Sequence, residues 1–553
     1  MFKIIYNFNT CDVSFDHTDI DNDLILCAFD GDASEKEKIP ELYKNSDILS
    51  VLSGLNGCFA LALYNKITKE LFFARDRLGE KQIYYSVKDG EVFVSTEFEN
   101  VFSYAGKKVN KIGLEHYMTF QYVPEPLTIG ENVSALLSGH YACVFADDMN
   151  ITRYNTWKPA PVEGKDREKF KEEIRQKFEK AVKRNLENSK SPAAFLSGGL
   201  DSSILTALAA RDHKNLAAYT IAFDVPGFSE SEIAENSAKK YGIEHKKVVI
   251  KANEYKDALP KTIKRMGVPV ADPSAAAVYI IGSAAATGHD TVISGEGSDE
   301  LWGGYHVYSV SDKEKKIKAL PESVKKALWG IAKHFPENMR GKDLIRRGCL
   351  PLEERFVGNT RLFTDAEKKK ILVSYDSCVK STDITAPYYA EARDLSDLDK
   401  MQYIDTNIWF PGDICIVCNR AAESKDAKCV MPFMDNEITD LARTLTADEK
   451  LKPGQNKVIL REAFSGIITD EVRDGKKRGY PVPVRMWLAG ELNEWGKNVI
   501  MSSNVSEYIN KKEAVKLLDK CKKHPSDPMY YRKAWAVIVF CIWYNVCVEG
   551  KDE

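Results

Sequence analysis

Ala193-Ala194-Phe195-Leu196 runs straight into Ser197-Gly198-Gly199-Leu200-Asp201-Ser202-Ser203, and an apolar helical run, Ile204-Leu205-Thr206-Ala207-Leu208, follows at once. A buried strand that turns through two glycines into a helix predicts a parallel α/β sheet with its ligand at the carboxyl ends of the strands. Glycines let backbone N–H groups approach an anion at a helix N-terminus, and the neighbouring hydroxyls add donors. A plain strand-to-helix turn needs no carboxylate, yet Asp201 supplies one where Mg²⁺ on a phosphate chain would need it. The loop lacks the Gly-Lys-Ser/Thr ending of a Walker motif.

Three more apolar runs extend this pattern: Ala217-Ala218-Tyr219-Thr220-Ile221-Ala222-Phe223, Lys246-Lys247-Val248-Val249-Ile250 and Thr291-Val292-Ile293. The last opens into Ser294-Gly295-Glu296-Gly297-Ser298-Asp299-Glu300-Leu301-Trp302-Gly303-Gly304-Tyr305. Three carboxylates among four glycines after an apolar strand are not a folding necessity, because each charge must be solvated, paired or metal-bound. Two such loops, each with an Asp for one shared metal, point to ATP with its pyrophosphate in the first loop.

Ahead of this part, short β-branched and aromatic runs such as Ala60-Leu61-Ala62-Leu63-Tyr64 and Glu70-Leu71-Phe72-Phe73-Ala74 alternate with polar turns, which predicts a β-rich N-terminal domain. The Pro- and Gly-bearing stretch at residues 159–164 reads as a linker, and Phe170, Ile174, Phe178 and Val182 then share one face of a helix. The expected domains are residues 1–158 and 165–553. A net charge of −3 with 29% charged residues gives no general field for polyanions, and nucleic acid is not an expected partner. No apolar run approaches the roughly 18 residues that cross a bilayer, and residues 534–544 read as a buried helix. The start has no secretory pattern, so a cytoplasmic location without a membrane partner is expected. Twelve scattered cysteines read as reduced thiols, and Cys415 and Cys418 as helix packing rather than a metal pair. The charged stretch at 306–400 reads as a solvated helical face.

The Ser-Gly-Gly-Leu-Asp-Ser loop is similar to the pyrophosphate loop of the ATP pyrophosphatase superfamily, and residues 294–305 resemble the second signature of the asparagine synthetase family. The resemblance continues through Asp272-Pro273-Ser274, Glu230 and His245, Pro432-Phe433-Met434-Asp435, Lys457-Val458-Ile459-Leu460-Arg461 and Lys477-Arg478-Gly479-Tyr480-Pro481-Val482-Pro483. It implies an α/β fold: a sandwich of the N-terminal-nucleophile type, then an ATP pyrophosphatase-type parallel sheet with helices on both faces and a helical C-terminal part. It also implies an ATP- and Mg²⁺-dependent ligase that joins a small carboxylate to ammonia or another amine through an acyl-adenylate, and it leaves room for a homodimer. Carried over by motif, Ser197, Gly198, Gly199, Asp201 and Ser202 hold the pyrophosphate. Leu196, Ile221, Ser294 and Gly295 line the adenosine site, Asp201 and Asp299 hold Mg²⁺, and Lys477 and Lys457 face developing phosphate charge. Glu296 stands near the incoming nitrogen, where β-lactam-forming relatives have Tyr.

The N-terminal part resembles the family's glutaminase domain in Leu55-Asn56-Gly57-Cys58-Phe59-Ala60, Ala74-Arg75-Asp76-Arg77-Leu78-Gly79-Glu80-Lys81 and Ser95-Thr96-Glu97. The family's nucleophile is a Cys at position 2, and here that position is Phe2. Without that thiolate and its amine nothing attacks a carboxamide, so glutaminase activity is expected to be lost. Exposure of Cys11 by trimming is the one alternative route to it. The acceptor pocket, expected around Arg420, Lys428 and Val430, departs from the family pattern. It reads Asn419-Arg420 where relatives have Asp-Arg, and Lys428 and Val430 where they have Glu and Arg. Two further functions fit the same motifs, intramolecular ring closure of the β-lactam or lasso-peptide type and an ATP-binding scaffold without turnover.

Overall fold

The computed structural model describes residues 1–551 apart from 34, 46, 229, 230, 336–338, 340, 424–426 and 476–480. Its N-terminal part is a sandwich of two antiparallel sheets. One carries Val13–Phe15, Lys3–Asn7, Glu91–Ser95, Tyr84–Lys88 and Ser134–Ala135 in that order. The other runs from Asp148–Arg153 through His140–Phe145, Leu71–Arg75, Phe59–Asn65 and Ile25–Gly31 to Ile20–Asp21. Alternation explains the sandwich: Ala60, Ala62 and Tyr64 meet Ile4, Tyr6, Val92 and Val94 of the facing sheet. Their neighbours Phe59, Leu61 and Leu63 pack on Ile39, Val51 and Leu52 of the covering helices. All seven residues of Phe59–Asn65 are therefore buried.

The second part is built on five parallel strands: β1 (Pro192–Phe195), β2 (Ala217–Phe223), β3 (Glu244–Ile250), β4 (Thr291–Ile293) and β5 (Lys428–Val430), in the order β3-β2-β1-β4-β5. From β1 the chain first adds strands on one side and then returns to add β4 and β5 on the other. The order thus reverses between β1 and β4, where ligands enter doubly wound sheets. Both faces are covered, because Ala193 and Val292 point into one apolar cluster while Ala194 and Ile293 point into another. The predicted face of Arg167–Leu186, with Phe170, Ile174, Phe178 and Val182, is buried in the second cluster.

The C-terminal part is helical. Asp397–Ile404 continues through widened turns at Asp405–Ile414 and Val417–Ala422, and the widening accommodates Pro411, which has no N–H to donate. Cys415 and Cys418 are buried in this helix, and all twelve cysteines are free thiols. Pro528–Trp543 is the expected apolar helix, with Ala534 to Trp543 buried; it packs on the N-terminal part, where the Tyr117 hydroxyl donates to the Ala536 carbonyl at 2.8 Å. Among the described residues no helix is long and apolar enough to cross a membrane.

Candidate active site

The two glycine-rich loops leave the sheet at β1 and β4, on either side of the reversal. In the first, Gly198 sits at φ +81°, a left-handed conformation that leads the chain into helix Leu200–Asp212. The Gly199 N–H donates to Ser197 Oγ at 3.2 Å and the Ser197 N–H to Ser202 Oγ at 3.2 Å, so the loop curls around its own hydroxyls. First-turn amides of a helix have no helical acceptor and carry the positive end of its dipole, which suits a phosphate chain.

The second loop lies directly against the first. A Cβ on Gly295 would stand 3.1 Å from both Asp201 Cβ and the Ser202 nitrogen. Ser298 Oγ donates to Asp201 Oδ1 at 2.7 Å. Lys457 joins the loops, its Nζ 2.6 Å from Asp201 Oδ2 and 2.5 Å from Asp299 Oδ1. Its side chain is 2% exposed, and each aspartate 19%. Two carboxylates thus converge on one cation-sized place at the mouth of the sheet. Mg²⁺ binds through one or two carboxylates and fills its octahedron with phosphate oxygens and waters, so this donor set fits a metal shared with a phosphate chain. The described residues contain no group of three or more His, Cys, Asp or Glu arranged for a metal, so phosphate oxygens would have to complete the shell.

Lys457 is held there by an unusual backbone. It is the N-cap of helix Val458–Ala463 at φ +51° and ψ +43°, a left-handed conformation that costs a non-glycine residue about 1–2 kcal/mol. Arg461, 5% exposed, supports it, donating through Nε to the Asn456 carbonyl at 2.7 Å and through Nη2 to Asn456 Oδ1 at 3.0 Å. Its Nη1 reaches the carbonyls of Val472 at 3.4 Å and Gly475 at 3.1 Å, and that of Arg473. Asn456 Nδ2 in turn donates to the Gly304 carbonyl at 2.5 Å. Gly304 must lack a side chain, since a Cβ there would run into the Asp299 carboxylate and the Lys457 stem.

The residues expected around the nucleotide lie on adjacent strands and the loops after them, with Leu196 and Ile221 in different apolar clusters. Leu196 and Ile221 are buried at the carboxyl ends of β1 and β2, and the Ser294 N–H continues the sheet by donating to the Val430 carbonyl at 2.9 Å. Glu296 is half-buried; burial, with the Glu296 charge next, pushes the Cys418 thiol well up. Lys477 and Glu230 lie outside the described residues.

The three acceptor-pocket residues do not converge. Val430 touches the second loop, whereas Lys428, 62% exposed, pairs with Asp32 of the sandwich at 3.1 Å. The Arg420 guanidinium donates to the Thr96 carbonyl, also in the sandwich. Nearby, Lys81 crosses from sandwich to helix, 3.0 Å from Glu423 and 3.9 Å from Asp30, and Asn419 Nδ2 donates to the Glu80 carbonyl. Burial pushes the Glu80 carboxyl well above its ordinary range.

Arg461, Asn456, Ser298 and Gly304 acquire roles that no motif assigned to them. The signals available were an Arg four residues after Lys457 and a Gly pair after Asp299.

An asparagine synthase family model matches residues 173–545, and a glutamine amidotransferase domain model matches residues 14–155. The chain is 34% identical over 502 residues to asparagine synthetase [glutamine-hydrolyzing] 1 of Bacillus subtilis, covering 90% of this chain and 79% of that protein. It is 34% identical over 509 residues to a putative asparagine synthetase [glutamine-hydrolyzing] of Mycobacterium bovis, covering 90% and 78%. Among solved structures, the NH3-dependent NAD synthetase of Campylobacter jejuni aligns with 17% identity and a TM-score of 0.22 over 45% of this chain and 97% of that one.

Proposed function

The chain belongs to the asparagine synthase family, and on that premise we propose that it is a ligase that activates a small carboxylate as an acyl-adenylate and passes the acyl group to ammonia or another amine. The observation that carries this reading is the convergence of Asp201, Asp299 and Lys457 where the glycine loops of β1 and β4 meet. A carboxylate oxygen attacks the α-phosphorus of ATP, and the bond to the pyrophosphate breaks with its electron pair leaving on pyrophosphate. The amine nitrogen then attacks the acyl carbon, the acyl–oxygen bond breaks, and AMP leaves with that electron pair.

In this reading Ser197, Gly198, Gly199 and Ser202 bind the pyrophosphate through loop amides and hydroxyls, and Leu196, Ile221, Ser294 and Gly295 wall the adenosine. Asp201 and Asp299 would hold Mg²⁺, which when bound would supply neutralisation of charge on the pyrophosphate. Lys457 adds a fixed ammonium at the same place, the electrostatic contribution that dominates such chemistry. Lys477 is assigned to the α-phosphate from its motif alone. Glu296, in the loop beside these groups, takes the proton that the attacking nitrogen sheds. The sandwich, residues 1–158, and the synthetase part, residues 165–553, are proposed as the two domains.

Ammonia or a free amine, rather than glutamine, is the proposed nitrogen source. A nucleophilic thiol needs a lowered pKa, whereas in the sandwich burial pushes the thiols of Cys27 and Cys58 upward and that of Cys143 up to about 11. Supplying nitrogen-labelled ammonium and amide-labelled glutamine side by side tests the point. Label from ammonium alone in the amide is the expected result, and equal incorporation from glutamine would overturn it.

A further inference from the structure

We infer that Lys457 is a resident counter-cation that bars the divalent metal until nucleotide phosphates arrive with it, so that metal and ATP enter together. This rests on the assignment of Asp201 and Asp299 as metal ligands. The Lys457 ammonium stands 2.6 and 2.5 Å from one oxygen of each carboxylate, in the position a bridging cation would take. The two carboxylates and the ammonium leave a single net negative charge. A divalent ion added alone turns that into a net positive charge beside a buried lysine, which disfavours its entry. Phosphate oxygens reverse the balance: they supply negative charge to the metal and a new acceptor to the ammonium.

The lysine is not a side chain that happens to fall there. Its left-handed backbone, the Arg461–Asn456–Gly304 chain of hydrogen bonds and the Cβ-free approach of Gly304 together place the Nζ between the two aspartates. Ser298 occupies the other oxygen of Asp201, so the oxygen facing Lys457 is the one a metal would use. With the metal absent, the Lys457 ammonium also offsets the repulsion between Asp201 and Asp299, a repulsion that would open the contact between the two loops.

Mn²⁺ binding followed by electron paramagnetic resonance on the full-length protein tests this, with and without α,β-methylene-ATP. Wild type is expected to bind Mn²⁺ weakly alone and at least about tenfold more tightly with the analogue, since one unit charge at contact distance exceeds that factor. Lys457→Met and Lys457→Gln are expected to bind Mn²⁺ alone about tenfold or more tighter than wild type, and Lys457→Arg to stay weak. Thermal unfolding identifies which variants are folded. Folded Lys457→Met and Lys457→Gln proteins that bind Mn²⁺ alone no better than wild type would overturn the inference while leaving the metal site standing. Failure of wild type to take Mn²⁺ with the analogue, or undiminished uptake by Asp299→Asn, would instead refute the metal assignment and the inference with it.

Discussion

Replacing Arg461 by Lys keeps the charge and removes the fork. The guanidinium makes five hydrogen bonds from three nitrogens, two to Asn456 and three to the carbonyls of residues 472, 473 and 475. A single ammonium cannot reach both groups, so about two bonds are lost outright. Hydrogen bonds to a charged group are worth about 1.5–3 kcal/mol each. With partial repair by water, a net loss of about 3 kcal/mol is expected, drawn partly from the strained Lys457 turn that the network supports. Expressed in the transition state, that is roughly a hundredfold fall in turnover. Acceptor-dependent pyrophosphate release measures it, and circular dichroism establishes that the variant is folded. Turnover of Arg461→Ala should recover when methylguanidinium is added, which a merely destabilised protein would not show. A folded Arg461→Lys enzyme within about threefold of wild type in kcat would refute the reasoning.

Three further outcomes follow from buried charges. Asp413 is fully buried, accepts from Gln121 Nε2 at 2.8 Å and shares a hydrogen bond with Asp272, and burial holds its carboxyl well above the ordinary range. Its contribution is intact below the unfolded carboxylate pKa of about 4 and is lost as pH rises toward the folded value. Asp413→Asn, which can keep both hydrogen bonds, should gain stability over wild type steadily from pH 4 to 8 in urea unfolding, and a pH-independent loss would contradict this. Burial pushes His116 down to about 4, so wild type should lose stability as pH falls from about 6.5 toward that value. His116→Asn should flatten that slope, and an unchanged slope would count against a neutral His116. Lys81→Met removes the ammonium shared by Glu423 and Asp30 and leaves Asp30 to the Met1 ammonium at 3.5 Å, at a cost of about 1–3 kcal/mol. Hydrogen exchange should accelerate on both sides of the contact, at residues 74–82 and 417–423; protection unchanged on both sides would refute the bridge.

Much of the site is legible in residues that serve no folding need. Asp201 and Asp299 stand out because a strand-to-helix turn does not require a carboxylate, and the apolar runs that became β1 to β4 match the observed strands to within two residues at either end. β5 was hidden, because Lys428-Cys429-Val430 is too short to show a period and pairs only because Thr291–Ile293 lies beside it. Arg461 stands in the motif that opens with Lys457, but its role is not legible there, because the carbonyls of residues 472, 473 and 475 come to it only through the fold, from eleven to fourteen residues away. The left-handed turn at Lys457 leaves no mark in composition, since left-handed turns favour Gly or Asn and this one holds Lys. Arg420 and Lys428 were placed by motif alignment near the acceptor, but which face of a domain contact a side chain takes is set by tertiary packing. Here both reach the sandwich.

Oxygen transfer tests the central claim most directly. The protein is incubated with ATP, Mg²⁺, ammonium and a panel of carboxylates labelled with heavy oxygen, and the AMP formed is weighed by mass spectrometry. An acyl-adenylate leaves one labelled oxygen on AMP for every amide made, with pyrophosphate released in equal amount. Heavy oxygen appearing in inorganic phosphate alongside ADP, or amide formed with unlabelled AMP, would contradict it.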